Sequence, residues 1–171
     1  MKKSIFLFGL FLALSASSYA QRFAFIDMDY ILKNISTYET ANQQLELTSK
    51  KWQAEVDKYQ QELQRLYKSY QSESVFLSAE QKTKRENEIV TKEKALQDLK
   101  KKYFGSDGEL FKKREALIKP IQDEIYVAVK EIATARGYQV VVDRASASSV
   151  IFASPTIDIS NEVLTKLGYS K

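Results

Sequence analysis

The chain has 171 residues, and its 26 Lys/Arg against 22 Asp/Glu leave a net charge of only +4. It contains no His and no Cys, which removes the usual general base, the commonest metal ligand, the Ser-His-Asp and Cys-His nucleophile systems, thiolate zinc sites and disulfide staples together. With five Gly and two Pro it is also poor in the turns that gather carboxylates into a pocket, so the chain reads as a non-enzyme that needs no cofactor and no metal.

The N-terminus opens on Lys2 and Lys3, continues in an apolar run from Ile5 to Leu14 and ends in Ser18-Tyr19-Ala20. The run is about half the roughly 20 residues that a spanning helix needs, and the small residues Ser18 and Ala20 around Tyr19 suit signal peptidase. Residues 1–20 therefore read as a secretory signal cleaved after Ala20. Its removal leaves 24 basic against 22 acidic residues, a net charge of about +2, which with export argues against nucleic acid as a partner.

From about Met28 to Gln71 the pattern is helical. Trp52, Val56, Tyr59, Leu63, Leu66 and Tyr70 follow one another in alternating steps of four and three residues, the spacing that keeps a seam facing a partner helix. Ser78 followed by Gln81 three residues later matches a capping box, so a second helix should begin near Ala79 and fold back as an antiparallel hairpin with its tip near 72–78. The returning helix carries Ile89, Leu96, Leu99 and Tyr103 on one stripe, but Lys82, Arg85 and Lys92 stand at the equivalent positions nearer the tip. The seam should thin there, and that end should be mobile.

Gly105-Ser106-Asp107-Gly108 breaks the pattern, since two glycines cost about 2 kcal/mol relative to Ala inside a helix. The break reads as a simple loop or as a hinge in the arm, the hinge favoured because periodicity resumes at once through Leu110, Leu117, Ile121, Ile125, Ala128 and Ile132 and ends at Gly137, placed as a C′ glycine. Pro120 should kink this helix or mark a new first turn. Between Lys92 and Lys119 stand Lys92, Lys94, Lys100, Lys101, Lys102, Lys112, Lys113, Arg114 and Lys119 against five acids. This stretch reads either as a solvated helix face or as a cationic surface for acidic partners.

Three short segments rich in β-branched and aromatic residues read as strands: Arg22 to Asp27, Tyr138 to Asp143 and Ser149 to Ser154. Arg144-Ala145-Ser146-Ala147-Ser148 supplies a hairpin connection between the last two. After Pro155, Asp158 and Ser160 are cap candidates for a short terminal helix stopped by Gly168. Residues 21–35 and 137–171 thus form a β-containing body of about 50 residues, below the size at which a core without disulfides is comfortable, and 36–136 form the arm. Val140, Val141 and Val142 in succession are apolar on both strand faces, more than one short helix can cover. The body should therefore oligomerise.

Phe23-Ala24-Phe25-Ile26-Asp27-Met28-Asp29-Tyr30-Ile31-Leu32 after a signal segment, then two charged helical arms, then Lys119-Pro120-Ile121-Gln122, Gly137-Tyr138, Val142-Asp143, and Ala153-Ser154-Pro155 through Asp158-Ile159 resemble the Skp/OmpH family of periplasmic chaperones. The resemblance implies an α+β fold, in which a small β-sheet or barrel-like trimerisation body from both chain ends carries a long antiparallel coiled-coil hairpin, or tentacle. It implies a homotrimer in the periplasm that holds unfolded outer-membrane proteins between its arms, without ATP and without a cofactor, before membrane insertion. By position, Phe23, Phe25, Val140, Val142, Ile151 and Phe152 would form the oligomer interface.

The Trp52 to Tyr70 stripe reads as the hairpin's own seam. Client contacts are expected off it or at the tip, at Tyr67, Val75, Phe76 and Leu77, and on the cationic stretch at Lys100, Lys101 and Lys102. Phe76 and Leu77 read equally as a plug that caps the hairpin. Lipopolysaccharide or the membrane surface is a further candidate partner. The alternative function is a structural coiled-coil scaffold or spacer of the envelope.

Overall fold

The computed structural model describes residues 22–147 and 149–169; the signal segment expected at 1–20 lies outside the described residues. Strand β1 (Phe23–Ile26) leads into helix α1 (Met28–Lys33), helix α2 (Ser36–Glu73), helix α3 (Ala79–Phe104), helix α4 (Glu109–Arg136), strand β2 (Val140–Asp143), a 3-10 turn (Pro155–Ile157) and helix α5 (Ser160–Lys166). Contacts divide the described residues into two compact units, one of residues 22–34 together with those described from Tyr126 onward, the other Ile35–Ile125.

In the first unit β1 and β2 pair in parallel, Phe23 opposite Val140 and Ile26 opposite Asp143. Parallel strands require a crossover, and here the crossover is all of the helical chain between them. The other edge of β1 is taken by Asp158, which bridges Phe25 in parallel, with the Ile159 N–H donating to the Phe25 carbonyl at 2.9 Å. The strand expected at Ser149 to Ser154, and the hairpin that was to connect it to β2, are therefore not formed: Ala147 N–H turns back to the Asp143 carbonyl at 3.1 Å. The segment passes on without regular structure. The expected partner was β2, and the turn that closes from Ala147 onto Asp143 does not bring the segment alongside it; the other edge of β1 is occupied by the residues before α5.

Asp27 caps α1, its carboxylate accepting the Tyr30 N–H at 2.9 Å. The helix expected to run unbroken from Met28 to Gln71 is interrupted at Asn34 and Ile35. The Asn34 amide donates to the Tyr30 carbonyl at 2.8 Å, closing α1, and Ile35 turns extended and is buried. In this unit α1 lies beside α5, with Ile31, Leu32, Val163 and Leu164 buried and the Tyr30 hydroxyl donating to Asn161 at 2.9 Å. Gly137 and Gly168 adopt φ of 71° and 84°, the left-handed geometry that ends helices and favours Gly.

In the second unit α2 and α3 form the antiparallel hairpin. Ser78 and Gln81 make the reciprocal capping box, the Gln81 N–H donating to the Ser78 hydroxyl at 3.3 Å and the Ser78 N–H to the Gln81 side chain at 2.9 Å. Helix α3 ends at Gly105, where a Cβ would stand 2.5 Å from the Lys101 carbonyl oxygen, and α4 begins just after Gly108, where a Cβ would stand 2.9 Å from the Tyr103 carbonyl oxygen. Both glycines are thus required for space. Helix α4 runs through Pro120 without opening a new first turn, although that residue offers no N–H to the Ala116 carbonyl.

Candidate functional site

Nothing among the described residues gathers three or more metal-ligating acids, so the surfaces worth weighing are those that expose apolar or unpaired charged groups. The first is a face of the sheet. Side chains alternate across a strand, and the register sets Phe23 beside Val140 and Phe25 beside Val142 on one side. Ala24 and Ile26, on the other side, are buried. Phe23 remains 45% exposed and Val140 44%, while Phe25 and Val142 are half-covered. Ile151 and Phe152, 99% and 81% exposed, lie in the irregular segment after β2. The pairing brings four of the six expected interface residues onto one face; it does not bring Ile151 or Phe152 into the sheet.

The hairpin is closed by a seam of Val56, Leu63, Ile89, Leu96 and Tyr103, with Trp52, Tyr59, Leu66, Tyr70 and Leu99 packed against it. This is the expected stripe, complete on both helices. At its base the Trp52 and Tyr103 rings stack, and the Tyr103 hydroxyl donates to Glu55 at 2.9 Å. Toward the tip the pairing turns polar. The Tyr67 hydroxyl donates to Glu93 and that of Tyr70 to Glu86. Lys92 meets Glu62 at 2.6 Å while lying 4.8 Å from the centre of the Tyr59 ring.

These bonds shift the groups that make them. Glu93, Glu86 and Glu55 hold the phenols of Tyr67, Tyr70 and Tyr103 above the ordinary tyrosine range, because a carboxylate acceptor favours the protonated donor. The Lys92 hydrogen bond lowers the Glu62 carboxyl, and Glu62 in turn raises Lys92. Of the expected client contacts, Tyr67 is therefore engaged across the hairpin while remaining 39% exposed. Val75 and Phe76, 77% and 87% exposed, project at the tip, and Leu77 is half-covered.

Lys100 donates to the Gln60 side chain at 3.3 Å, Lys102 sits 5.2 Å from the centre of the Tyr103 ring, and Lys101 is exposed. Lys101 and Lys102 also line a shallow concavity over the break, together with Asp98, Asp107, Glu109 and Lys112, where the signs balance. The glutamates that latch the hairpin, Glu55, Glu62, Glu86 and Glu93, were not singled out by sequence reasoning. The available signal was the seven-residue spacing of Glu86 and Glu93, two turns apart on one helix face and within reach of Tyr70 and Tyr67.

The family model described as outer membrane protein (OmpH-like) matches residues 22–167. A Chaperone protein Skp of Yersinia enterocolitica is 31% identical over 161 residues, covering 93% of each chain. One of Pectobacterium atrosepticum is 27% identical over 172 residues, covering 98% of this chain and 99% of that one. Among solved structures, an OmpH-like outer membrane chaperone from Caulobacter crescentus superposes with a TM-score of 0.66 at 14% identity, covering 85% of this chain and 82% of its own. At that identity the likeness concerns the fold.

Proposed function

The chain belongs to the OmpH-like outer membrane protein family, and on that premise we propose that it is a periplasmic holdase, exported by a signal peptide cleaved after Ala20. It binds unfolded outer-membrane proteins and keeps them from aggregating before insertion, with no nucleotide and no chemistry. Relatives named chaperones at 27% and 31% identity over nearly the full length support the reading. The observation that carries it is the display of large apolar side chains in both units of a single chain: Phe23, Val140, Ile151 and Phe152 in one, Val75 and Phe76 in the other. Exposed apolar groups of this kind mark surfaces meant for another chain.

The division of labour follows from their settings. A flat sheet face with Phe23, Phe25, Val140 and Val142 suits a sister copy, which covers an edge and a face together, and we assign it, with Ile151 and Phe152, to a homotrimer. Scattered tip residues suit a client, because many weak contacts hold a chain without fixing one geometry and so permit release. Lys100, Lys101 and Lys102 add a cationic margin.

The test is direct. Mature protein is added, without nucleotide, to an outer-membrane β-barrel protein diluted from urea. Suppression of light scattering near one trimer per client is expected, and no suppression at any ratio would overturn the proposal.

A further inference from the structure

The hairpin seam changes character along its length. In the stem, Val56, Leu63, Ile89, Leu96 and Tyr103 are buried. From Gln64 round the tip to Glu88 no residue is buried. Beyond the packing of Leu66 and Tyr70 against the end of the seam, what joins α2 to α3 there is polar: Tyr67 reaching back to Glu93 in the stem, Tyr70 to Glu86, and Arg85 to Glu73 at 3.6 Å. All of these side chains are wholly or partly open to water, where exposed pairs contribute little because solvent replaces either partner.

We propose that the distal hairpin, from Leu66 round to Glu88, is a reversible clasp: its two helices part from each other while the stem stays closed, and Leu66, Tyr70 and Leu77 are offered to an unfolded polypeptide. Local features let it part cleanly. The tip is organised by bonds within itself, the capping box of Ser78 and Gln81 and the Ser74 N–H donating to the Tyr70 carbonyl at 2.8 Å, so separating the helices leaves no buried polar group stranded. The three residues named are half-covered in the closed form, Leu66 and Tyr70 by the seam itself, and the first two continue the stem's apolar stripe. An apolar stretch of client can therefore take the place of the opposing helix. Lys82 and Arg85, half-buried at positions seven and four before Ile89, are what keep the stripe of α3 from reaching the tip.

The partner in this inference rests on the holdase reading; the opening does not. Helical segments of two or three turns are marginal once their tertiary partner is gone, so opening is read by amide hydrogen exchange of the mature chain without client. Amides of Leu66–Glu73 and Gln81–Glu88 should exchange at least about tenfold faster than those of Val56–Leu63 and Leu96–Tyr103. Tyr67→Phe with Tyr70→Phe should raise the distal rate further and leave the stem unchanged. Lys82→Leu with Arg85→Leu should slow distal exchange toward the stem rate and weaken suppression of client aggregation. One common rate in both halves overturns the clasp. A slowed Leu variant that still suppresses aggregation as well as wild type overturns the client's part in it. Two rates in a protein that suppresses nothing would sink the holdase reading, and with it the client, while the opening stands.

Discussion

The ring of Trp52 stacks on that of Tyr103, their centroids 4.8 Å apart and their planes 6° from parallel, within one turn of the glycine break. Trp52 is the sole tryptophan, so this contact reports its own integrity. Tyr103 is buried and also bonds Glu55. Tyr103→Ala should lower stability by about 3 kcal/mol, from lost burial and lost stacking, and shift tryptophan emission to the red. Urea melts followed by fluorescence check both. An unchanged emission maximum would contradict the stack.

Gly105 and Gly137 make a paired test of two reasons for glycine. A methyl at Gly105 meets the Lys101 carbonyl oxygen at 2.5 Å, whereas at Gly137 it meets nothing within 4 Å but sits at φ 71°. Gly137→Ala should cost about 1 kcal/mol of left-handed strain. Gly105→Ala should cost more, about 2 to 3 kcal/mol, because backbone must move. Thermal melts rank the two, and circular dichroism of Gly105→Ala should show no gain of helix.

The body carries an acid-sensitive contact. The Tyr30 N–H, and then the Arg144 guanidinium, hold the Asp27 carboxyl below its ordinary range, with Arg144 at 2.9 Å. A carboxylate depressed in the folded state contributes fully above its unfolded value, near 3.9, and loses that contribution as pH falls through the lower folded value. Wild-type stability should therefore decline below about pH 4. Asp27→Asn keeps an acceptor for the cap but loses the ion pair, so it should cost about 1 kcal/mol at neutral pH and flatten the acid limb. Urea midpoints from pH 2 to 7, a range that spans the ordinary carboxylate value, distinguish the two curves.

The proposed assembly separates from the fold of the single chain at Phe152. Phe152 is 81% exposed, so Phe152→Ser should leave the helical signal unchanged while lowering the mass seen by light scattering. Val142→Asp, on the half-covered sheet face, should place a charge against a sister copy and give monomer or unfolded chain. A full-mass trimer from both variants would remove these residues from the interface.

At the tip, Phe76→Ser tests contact against plug. Phe76 is 87% exposed, which leaves it little to plug. Stability should stay within about 0.5 kcal/mol of wild type, and client affinity should fall. A change in helix content without a change in affinity would reverse that assignment.

The hairpin was legible in the residues because each of its signals is local. The Trp52 to Tyr70 spacing, the Ser78 and Gln81 box and the Gly105 to Gly108 break each act within a turn or two of chain, and the structure shows all three. The helix stop at Asn34 was missed: the Asn34 side chain closes α1 on the Tyr30 carbonyl and Ile35 is extended and buried, a burial that the local pattern does not show.

Local sequence was enough to fix the two hairpin helices, the Ser78 cap and the breaks at 72–78 and 105–108, because an α-helix is closed by bonds between residues four apart. Tertiary structure alone decided the body: that β1 and β2 run parallel, that Asp158 and not Ser149 to Ser154 takes the remaining edge of β1, and that tyrosines and glutamates latch the hairpin where its apolar stripe ends. Each of these is a choice of partner between residues far apart in the chain. Strand propensity says that a segment can pair, and only the competition for edges in the folded chain says with what.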